Sequence, residues 1–418
     1  MRILFLDHPQ FTAGSFLLWH GLKEVELLSK GALQVELYPH LPTHFDADAF
    51  NVKDMKWYQD LEKVVAAGPG ALPWGVPPFA PGEVLTYDGQ QEIRRYAHSV
   101  RFKPPEHLPS EDEIVRRLKG NEFDLVILAN SHRVPTILLG RLKERAGATN
   151  MPPVVYYDAG ERDELCEHWI HVFRPDLTFK QILTPEVRAK GLSAAVQNYT
   201  WKVFPLPLCS ILIDHKETMV GRIPFGRIQD LDLDKMFEVF YHMGITWPER
   251  QAVLDALDEV VHGLKLNRVG PATNPNYHLT LVKSRMAVTM RGSGRDTFRY
   301  WEIPLYKTAM LSDGTMGCIH PYPFEHGKTA LFWKNVPELI YMVLDRISGR
   351  QNAAEVQEIG IAGQKHLYRY HSTMMRSIFF LDRVREFLRV GGDTASVCSF
   401  AKELREWPSD GPWEGPVV

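Results

Sequence analysis

The chain has 418 residues, more than one ordinary hydrophobic core accommodates, so its length predicts two domains. Its apolar content of 44% and charged content of 24% are close to globular averages and exclude a disordered chain. The net charge of −3 excludes a strong overall attraction to nucleic acid or to anionic membranes.

The chain carries no signal for secretion or membrane insertion. The apolar run at residues 1–6 is too short for a signal peptide, and no run approaches the roughly 20 residues that span a bilayer. Four widely scattered cysteines form no CxxC pair: Cys166, Cys209, Cys318 and Cys398. These features predict a soluble, cytoplasmic protein with reduced thiols.

The first half alternates apolar strands with amphipathic helices, which is typical of a parallel sheet covered on both faces. Its predicted strands and helices are 2–7 (strand), 15–29 (helix), 123–130 (strand), 134–146 (helix) and 153–158 (strand). Residues 40–110 interrupt this pattern with many Pro, Gly and aromatic residues. We interpret them as an insertion or long loop, a kind of segment that often contacts substrates.

The second half repeats the alternation after a polar stretch at 229–235. Its predicted strands are 236–243, 286–290 and 329–333, and its predicted helices are 248–264, 297–311, 336–347 and 353–390. We expect Pro304 to kink or shorten the helix at 297–311. We also expect the helix at 353–390 to break near residues 370–372.

These patterns predict an α/β protein of two Rossmann-like, doubly wound domains that face a cleft. The predicted boundaries are 1–215 for the first domain and 216–375 for the second, followed by a helix and tail at 376–418 that pack back on the first. Ligands of such sheets bind at the carboxyl ends of the strands.

A glycine loop between a predicted strand and helix is the main candidate ligand site. Gly292 and Gly294 allow the backbone to turn tightly and to approach a ligand closely. The amino end of the following helix favours an anion such as a diphosphate. The predicted binding residues are Arg291, Gly292, Ser293, Gly294, Arg295, Asp296, Thr297 and Arg299. The alternative is an ordinary strand-to-helix connection.

Several segments resemble GT-B glycosyltransferases, in particular the CgeB-like and glycosyltransferase family 1-type proteins of bacteria and phages. They are residues 154–158, 203–207, 240–250, 284–302 and 362–376. The resemblance implies a GT-B fold with an acceptor-binding first domain and a donor-binding second domain. It also implies metal-independent transfer of a sugar from a UDP-, GDP- or TDP-linked donor, with Glu302 accepting hydrogen bonds from the ribose. The alternative for Glu302 is an ion pair with Arg299 on a solvated face.

An inverting transferase needs a general base near the acceptor. The candidates are His20, Asp158, Glu161 and Asp163. Asp158 ends a predicted strand at the edge where such chemistry occurs, and its alternative role is to cap the following helix. His20 lies within a predicted helix and has a structural role as its alternative.

The acceptor stays open between a glycan, a small molecule, a protein and a modified DNA base. A transferase acting on DNA would use the basic clusters at 94–95, 101–103 and 116–119, which are also typical of solvated faces. A non-catalytic binding protein on the same fold is the third interpretation.

Overall fold

A computed structural model describes fourteen stretches of the chain. They are residues 1–7, 13–39, 107–129, 133–190, 203–209, 219–220, 223–224, 234–241, 243–245, 247–260, 280–292, 294–314, 317–348 and 350–388. Most of the predicted insertion, residues 8–12 of the loop after the first strand, and the tail from residue 389 lie outside the described residues.

The first unit is built on a six-stranded parallel sheet. Its strands are β1 (Arg2–Leu6), β2 (Gln34–Tyr38), β3 (Leu125–Ala129), β4 (Val154–Asp158), β5 (Leu177–Lys180) and β6 (Val203–Pro205). They lie in the order β2-β1-β3-β4-β5-β6, so the chain reverses its direction across the sheet between β1 and β3. This is the Rossmann-like arrangement, with ligand-binding loops at the carboxyl ends of the strands.

Helices cover both faces of this sheet. They are α1 (Ala13–Leu28), α2 (Glu111–Lys119), α3 (Arg133–Ala146), α4 (Glu167–Phe173) and α5 (Pro185–Lys190). The sequence chemistry of α2 is typical: the Ser110 hydroxyl accepts a bond from the Glu113 amide at 3.2 Å, with acidic residues in the first turn and basic ones in the last. Its apolar residues Ile114, Val115 and Leu118 are buried.

The second unit has a four-stranded parallel sheet, preceded by a short antiparallel pair, β7 (Met219–Val220) and β8 (Ile223–Pro224). The sheet contains β9 (Phe237–Phe240), β10 (Ser284–Thr289), β11 (Ala309–Asp313) and β12 (Leu331–Trp333), in the order β12-β11-β10-β9. The accompanying helices are α6 (Pro248–Val260), α7 (Phe298–Leu305), α8 (Val336–Ile347), α9 (Arg350–Tyr370) and α10 (Thr373–Leu388).

The structure corrects the predicted helix at 297–311. The helix ends at Leu305, one residue after Pro304, and Lys307 adopts a positive φ of 52°. Residues 309–313 instead form the buried strand β11 between β10 and β12. A short apolar run fits a helix or a buried strand equally well by periodicity, which is why the sequence misplaced this boundary. The predicted break near residues 370–372 is confirmed between α9 and α10.

The last described helix, α10, packs against α1 of the first unit. An added Cβ on Gly21 would lie 2.1 Å from the Thr373 carbonyl oxygen, so the two backbones approach as closely as glycine allows. The Thr373 hydroxyl donates to Glu24 at 2.6 Å, and the Ser377 hydroxyl donates to the Leu18 carbonyl at 3.2 Å. The chain therefore returns from the second unit to the first. In the part of the chain that is described, no helix is long and apolar enough to cross a membrane.

Candidate functional site

A buried arginine joins the carboxyl ends of two strands in the second unit. Arg250 is 8% exposed and follows Pro248 at the start of α6. Its guanidinium donates to three backbone carbonyls: Gly244 after β9 at 2.8 Å, Met290 at 2.9 Å and Arg291 at 2.8 Å after β10. Burial lowers the pKa of Arg250 to about 10, helped by the like charge of Arg299, so it stays protonated at neutral pH. Arg250 thus fixes the backbone from which the glycine loop begins.

Arg291 lies just after β10, at the start of the glycine loop. Its guanidinium carbon is 4.1 Å from the ring centre of Trp247, the geometry of a cation–π contact. Its amide donates to Asp313 Oδ2 at 3.1 Å, and Asp313 ends the neighbouring strand β11. The ends of β9, β10 and β11 are therefore held together by Arg250, Arg291 and Asp313.

The glycine loop itself forms a tight turn. The Gly292 amide donates to the Gly294 carbonyl at 2.9 Å, so this amide is engaged inside the loop; Ser293 lies outside the described residues. Thr297 then precedes α7 in an extended conformation, and its side chain caps none of the helix amides. The first-turn amides of α7 therefore point back toward the loop without a side-chain cap.

Two predicted residues of α7 lie beyond the loop. Arg299 and Glu302 are both half-buried, and Arg299 is near enough to Arg250 to lower its pKa. With Arg250 and Arg291, Arg299 places three arginines around one strand edge. The Asp313 carboxylate at the same edge balances part of this positive charge.

The acidic loop after β4 meets the glycine loop across the two units. A Cβ built on Gly294 would lie 3.1 Å from the Cβ and 3.4 Å from Oε2 of Glu161. Asp163 Oδ2 accepts a bond from Arg295 Nε at 2.7 Å. The structure thus brings Glu161 and Asp163 beside Gly294 and Arg295, and Glu161 is exposed.

Asp158 has the contacts of a structural carboxylate. It is 2% exposed and lies 3.3 Å from the buried Lys180 ammonium. Its oxygens accept bonds from the Gly160 amide at 3.2 Å and from the Cys166 amide, at the start of α4, at 3.1 Å. These bonds hold the loop that precedes α4 without capping the first-turn amides of the helix. They leave the carboxylate without the solvent access that a general base needs.

His20 is placed inside the packing of α1. Its side chain is 1% exposed, its ring centre lies 5.9 Å from that of Phe16, and its Nδ1 lies 3.6 Å from Glu24. Glu24 also accepts the bond from Thr373. The imidazole therefore belongs to the contact between α1 and α10, away from solvent.

The Asp296 carboxylate faces the protein interior. It is 4% exposed, and its oxygens accept bonds from the Leu208 amide at 2.6 Å and from Trp301 Nε1 at 2.8 Å. Burial raises its pKa to about 7, while these two bonds and Arg376 oppose the rise. The structure thus corrects the prediction that this side chain holds a diphosphate, because both oxygens are engaged and a carboxylate repels phosphate.

Three histidines lie near this buried carboxylate and pack as neutral rings. His371 Nε2 and His366 Nε2 lie 2.8 and 2.9 Å from the Tyr322 carbonyl, and Arg376 donates to His371 Nδ1 at 2.9 Å. The His320 ring centre is 5.4 Å from that of Trp301. Among the described residues, no group of three or more His, Cys, Asp or Glu side chains is arranged to hold a metal ion.

Sequence reasoning missed two site residues. Asp313 was hidden because the predicted helix ran over the start of β11. Trp247 gave a weak signal, since an aromatic residue just before Pro248 is also typical of a helix start. An apolar strand that ends in aspartate, Ala309–Asp313, is the sequence signal that would have revealed the first of them.

The chain is similar to two solved structures. A glycosyltransferase from Rickettsia africae matches with a TM-score of 0.51 and 9% identity, over 93% of this chain and 99% of that chain. HepE from Anabaena, solved in complex with UDP and glucose, matches with a TM-score of 0.44 and 13% identity, over 92% of this chain and 100% of that chain. No protein-family model and no curated protein sequence matches the chain.

The chain has the GT-B fold, with two Rossmann-like domains and parallel sheets. The likeness to the Rickettsia protein shows this fold alone, because the identity is low. The narrower resemblance to CgeB-like and phage proteins stays a prediction.

Proposed function

We propose that the protein is a glycosyltransferase that moves a sugar from a nucleoside diphosphate to an acceptor. The observation that carries the proposal is the set of three arginines, Arg250, Arg291 and Arg299, at the carboxyl ends of β9 and β10 and the start of α7. The GT-B fold, shared with the glycosyltransferase of Rickettsia africae, supports it. Fold alone does not establish activity, so the arginines are the stronger argument.

The diphosphate is the leaving group and gains negative charge as the glycosidic bond breaks. Fixed positive groups aimed at that charge stabilise the transition state and need no reorganisation during the reaction. In our proposal Arg291, Arg299 and the first-turn amides of α7 contact the phosphates, and Arg250 holds the loop in place. These fixed charges serve in place of a divalent cation, so we propose metal-independent transfer.

Glu302 is proposed to bind the ribose. Glu302 lies in α7, three residues after Arg299, and is half-buried. A carboxylate in this position can accept hydrogen bonds from the two vicinal hydroxyls of a ribose. Glu302→Ala should weaken nucleotide binding, whereas an unchanged affinity would leave Glu302 with only its surface role.

Glu161 is the proposed general base on the acceptor side. Of the four candidates, His20 and Asp158 are buried in structural contacts and Asp163 is held by Arg295. Glu161 is exposed and lies beside Gly294, where a bound donor would meet an acceptor. In this role Glu161 takes the proton from the attacking hydroxyl or amine as the bond to the sugar forms.

A screen of UDP-, GDP- and TDP-linked sugars by thermal shift tests the proposal. A donor that binds only the folded protein raises the melting temperature by mass action. We expect one nucleotide class to stand out, and that donor to be hydrolysed slowly to free sugar and nucleoside diphosphate. A melting temperature unmoved by every member of the panel would contradict the proposal.

No described contact favours DNA as the acceptor. Of the basic clusters, only 116–119 lies within the described residues, and there Arg117 pairs with Glu36 at 2.6 Å and Arg116 with Glu122 at 3.3 Å. Acidic partners reduce the positive field that a phosphate backbone needs.

A further inference from the structure

Two side chains bind the backbone of Leu208, one at its amide and one at its carbonyl. Asp296, in the glycine loop of the second unit, accepts the bond from the Leu208 amide at 2.6 Å. Arg376, near the start of α10, donates to the Leu208 carbonyl at 3.4 Å. Leu208 follows β6, where the chain leaves the first sheet. The peptide is therefore clamped between the proposed donor loop and the helix that completes the first unit.

The clamp closes into a ring through Trp301. Trp301 Nε1 donates to the second oxygen of Asp296 at 2.8 Å, and the Arg376 guanidinium carbon lies 5.4 Å from the Trp301 ring centre. Asp296, Trp301 and Arg376 are all buried. In such an environment hydrogen bonds to a carboxylate are strong and its position is well defined.

The segment that carries Leu208 also supports the acceptor side. The Leu206 amide donates to the Lys180 carbonyl at 2.9 Å, and the Tyr157 hydroxyl donates to the Leu206 carbonyl at 3.0 Å. Lys180 in turn binds Gly160, the residue before Glu161, at 2.9 Å through its ammonium group. A continuous chain of bonds thus leads from Asp296 to the loop that holds the proposed general base.

We infer that Asp296 is a positioning residue that couples occupancy of the donor loop to the connection at residues 206–209 and, through it, to the acidic loop at Glu161. The inference rests on the proposed function, since it assumes that a nucleoside diphosphate binds at the loop. A ligand that holds residues 294–297 more rigidly then also holds Leu208 more rigidly, because Asp296 accepts the bond from the Leu208 amide. Donor binding in the second domain would in this way fix the position of the loop at Glu161 in the first domain.

Hydrogen exchange with UDP, GDP and TDP as probes tests the coupling. In the wild-type protein, the probe that binds should slow amide exchange at residues 294–300 and also at 206–209. In Asp296→Asn, which keeps only one acceptor oxygen for two donors, the slowing at 206–209 should be lost while that at 294–300 remains. Asp296→Ala should give the same pattern, and Asp296→Asn serves if the alanine variant does not fold.

Asp176→Asn is the matched control. Asp176 accepts the Val154 amide at 2.8 Å, a bond of the same kind at the opposite end of β4. This variant should keep the slowing at both segments. Slowing at 294–300 alone in the wild-type protein, or at both segments in the Asp296 variants, would overturn the inference and leave the proposed function intact. Slowing at neither segment with any probe would overturn the proposed function, and the inference with it.

Discussion

Asp163 of the first unit and Arg295 of the second form an ion pair across the two units, with 2.7 Å between Oδ2 and Nε. Arg295 belongs to the glycine loop and Asp163 to the acidic loop that carries Glu161. The pair is partly exposed, so its direct contribution to stability is small, at most about 1 kcal/mol. Under our proposal the Asp163 carboxylate keeps Arg295, which is beside the phosphate-binding arginines in the chain, from contacting the diphosphate.

Asp163→Asn should therefore strengthen nucleoside diphosphate binding. Removing the carboxylate leaves Arg295 to a diphosphate, and a gain of up to about fivefold corresponds to roughly 1 kcal/mol. Titration calorimetry measures the change. Glu122→Gln is the control, because it removes ion pairs of Arg116 and Arg117 in the first unit and should leave the affinity unchanged. Weaker binding by Asp163→Asn would show that Asp163 itself helps to hold the donor.

The buried carboxylate of Asp296 predicts a pH-dependent stability. Burial raises its pKa from 3.8 to about 7, so the folded protein keeps the proton to a higher pH than the unfolded chain does. The contribution is complete below pH 4 and declines as the pH rises toward 7, by at most about 1.4 kcal/mol per pH unit. Above pH 7 it is constant.

Urea unfolding of the wild-type protein and Asp296→Asn at several pH values measures this contribution. The difference between their free energies of unfolding should shift in favour of the variant between pH 4 and 7. A difference that stays constant over this range would mean that the Asp296 carboxylate is ionised throughout.

Arg250→Ala should destabilise the second unit. The substitution leaves three backbone carbonyls at the ends of β9 and β10 without their donor, and each buried unsatisfied group costs about 1–3 kcal/mol. We expect a loss of about 3 kcal/mol or more in urea unfolding. Lys328→Ala is the control, since Lys328 and its partner Glu325 are both exposed and the loss in the free energy of unfolding should be much smaller. If both variants lost the same free energy of unfolding, the three carbonyl bonds of Arg250 would not be important for stability.

Gly294→Ala should reduce transfer more than it reduces stability. The new methyl group would lie 3.1 Å from the Cβ of Glu161, so the acidic loop must move by a few tenths of an ångström. A displacement of a proposed general base lowers the rate because catalysis depends on its distance from the acceptor. The measurement is kcat with the donor identified in the screen.

Gly120→Ala is the matched control for that substitution, since its added methyl group would lie no nearer than 3.5 Å to its neighbours. It should leave kcat unchanged. If kcat is also unchanged in Gly294→Ala, Glu161 is not the general base.

In the first unit, the strands that could be predicted from sequence are those with uninterrupted apolar runs. β1, β3 and β4 were identified because a parallel sheet buried on both faces demands such runs. β2 and β5 were missed because Glu36 lies inside β2 and because β5 is a short strand that ends in Lys180. Lys180 is buried in β5 only because Asp158 and the Gly160 carbonyl receive its ammonium group, a tertiary contact that no local pattern reveals.

The candidate site also has a part that the sequence predicts and a part that depends on tertiary contacts. The glycine turn, its arginines and the helix start follow from neighbouring residues, so the sequence located them. The interior orientation of Asp296 depends on Leu208, 88 residues earlier in the chain, and the bond of Arg291 to Asp313 depends on a strand the sequence had placed in a helix. Contacts between distant segments decide which of the predicted side chains face a ligand.

Titration of the protein with UDP, GDP and TDP tests the central claim most directly. We predict saturable binding of one nucleotide to the wild-type protein, with affinity reduced at least about tenfold in Arg291→Ala, as for the loss of a charge-assisted phosphate contact. Lys328→Ala, which removes an exposed positive charge of the same unit, should bind like the wild type. If none of the three nucleotides binds, or if Arg291→Ala binds as well as the wild-type protein, the donor site does not lie at the glycine loop.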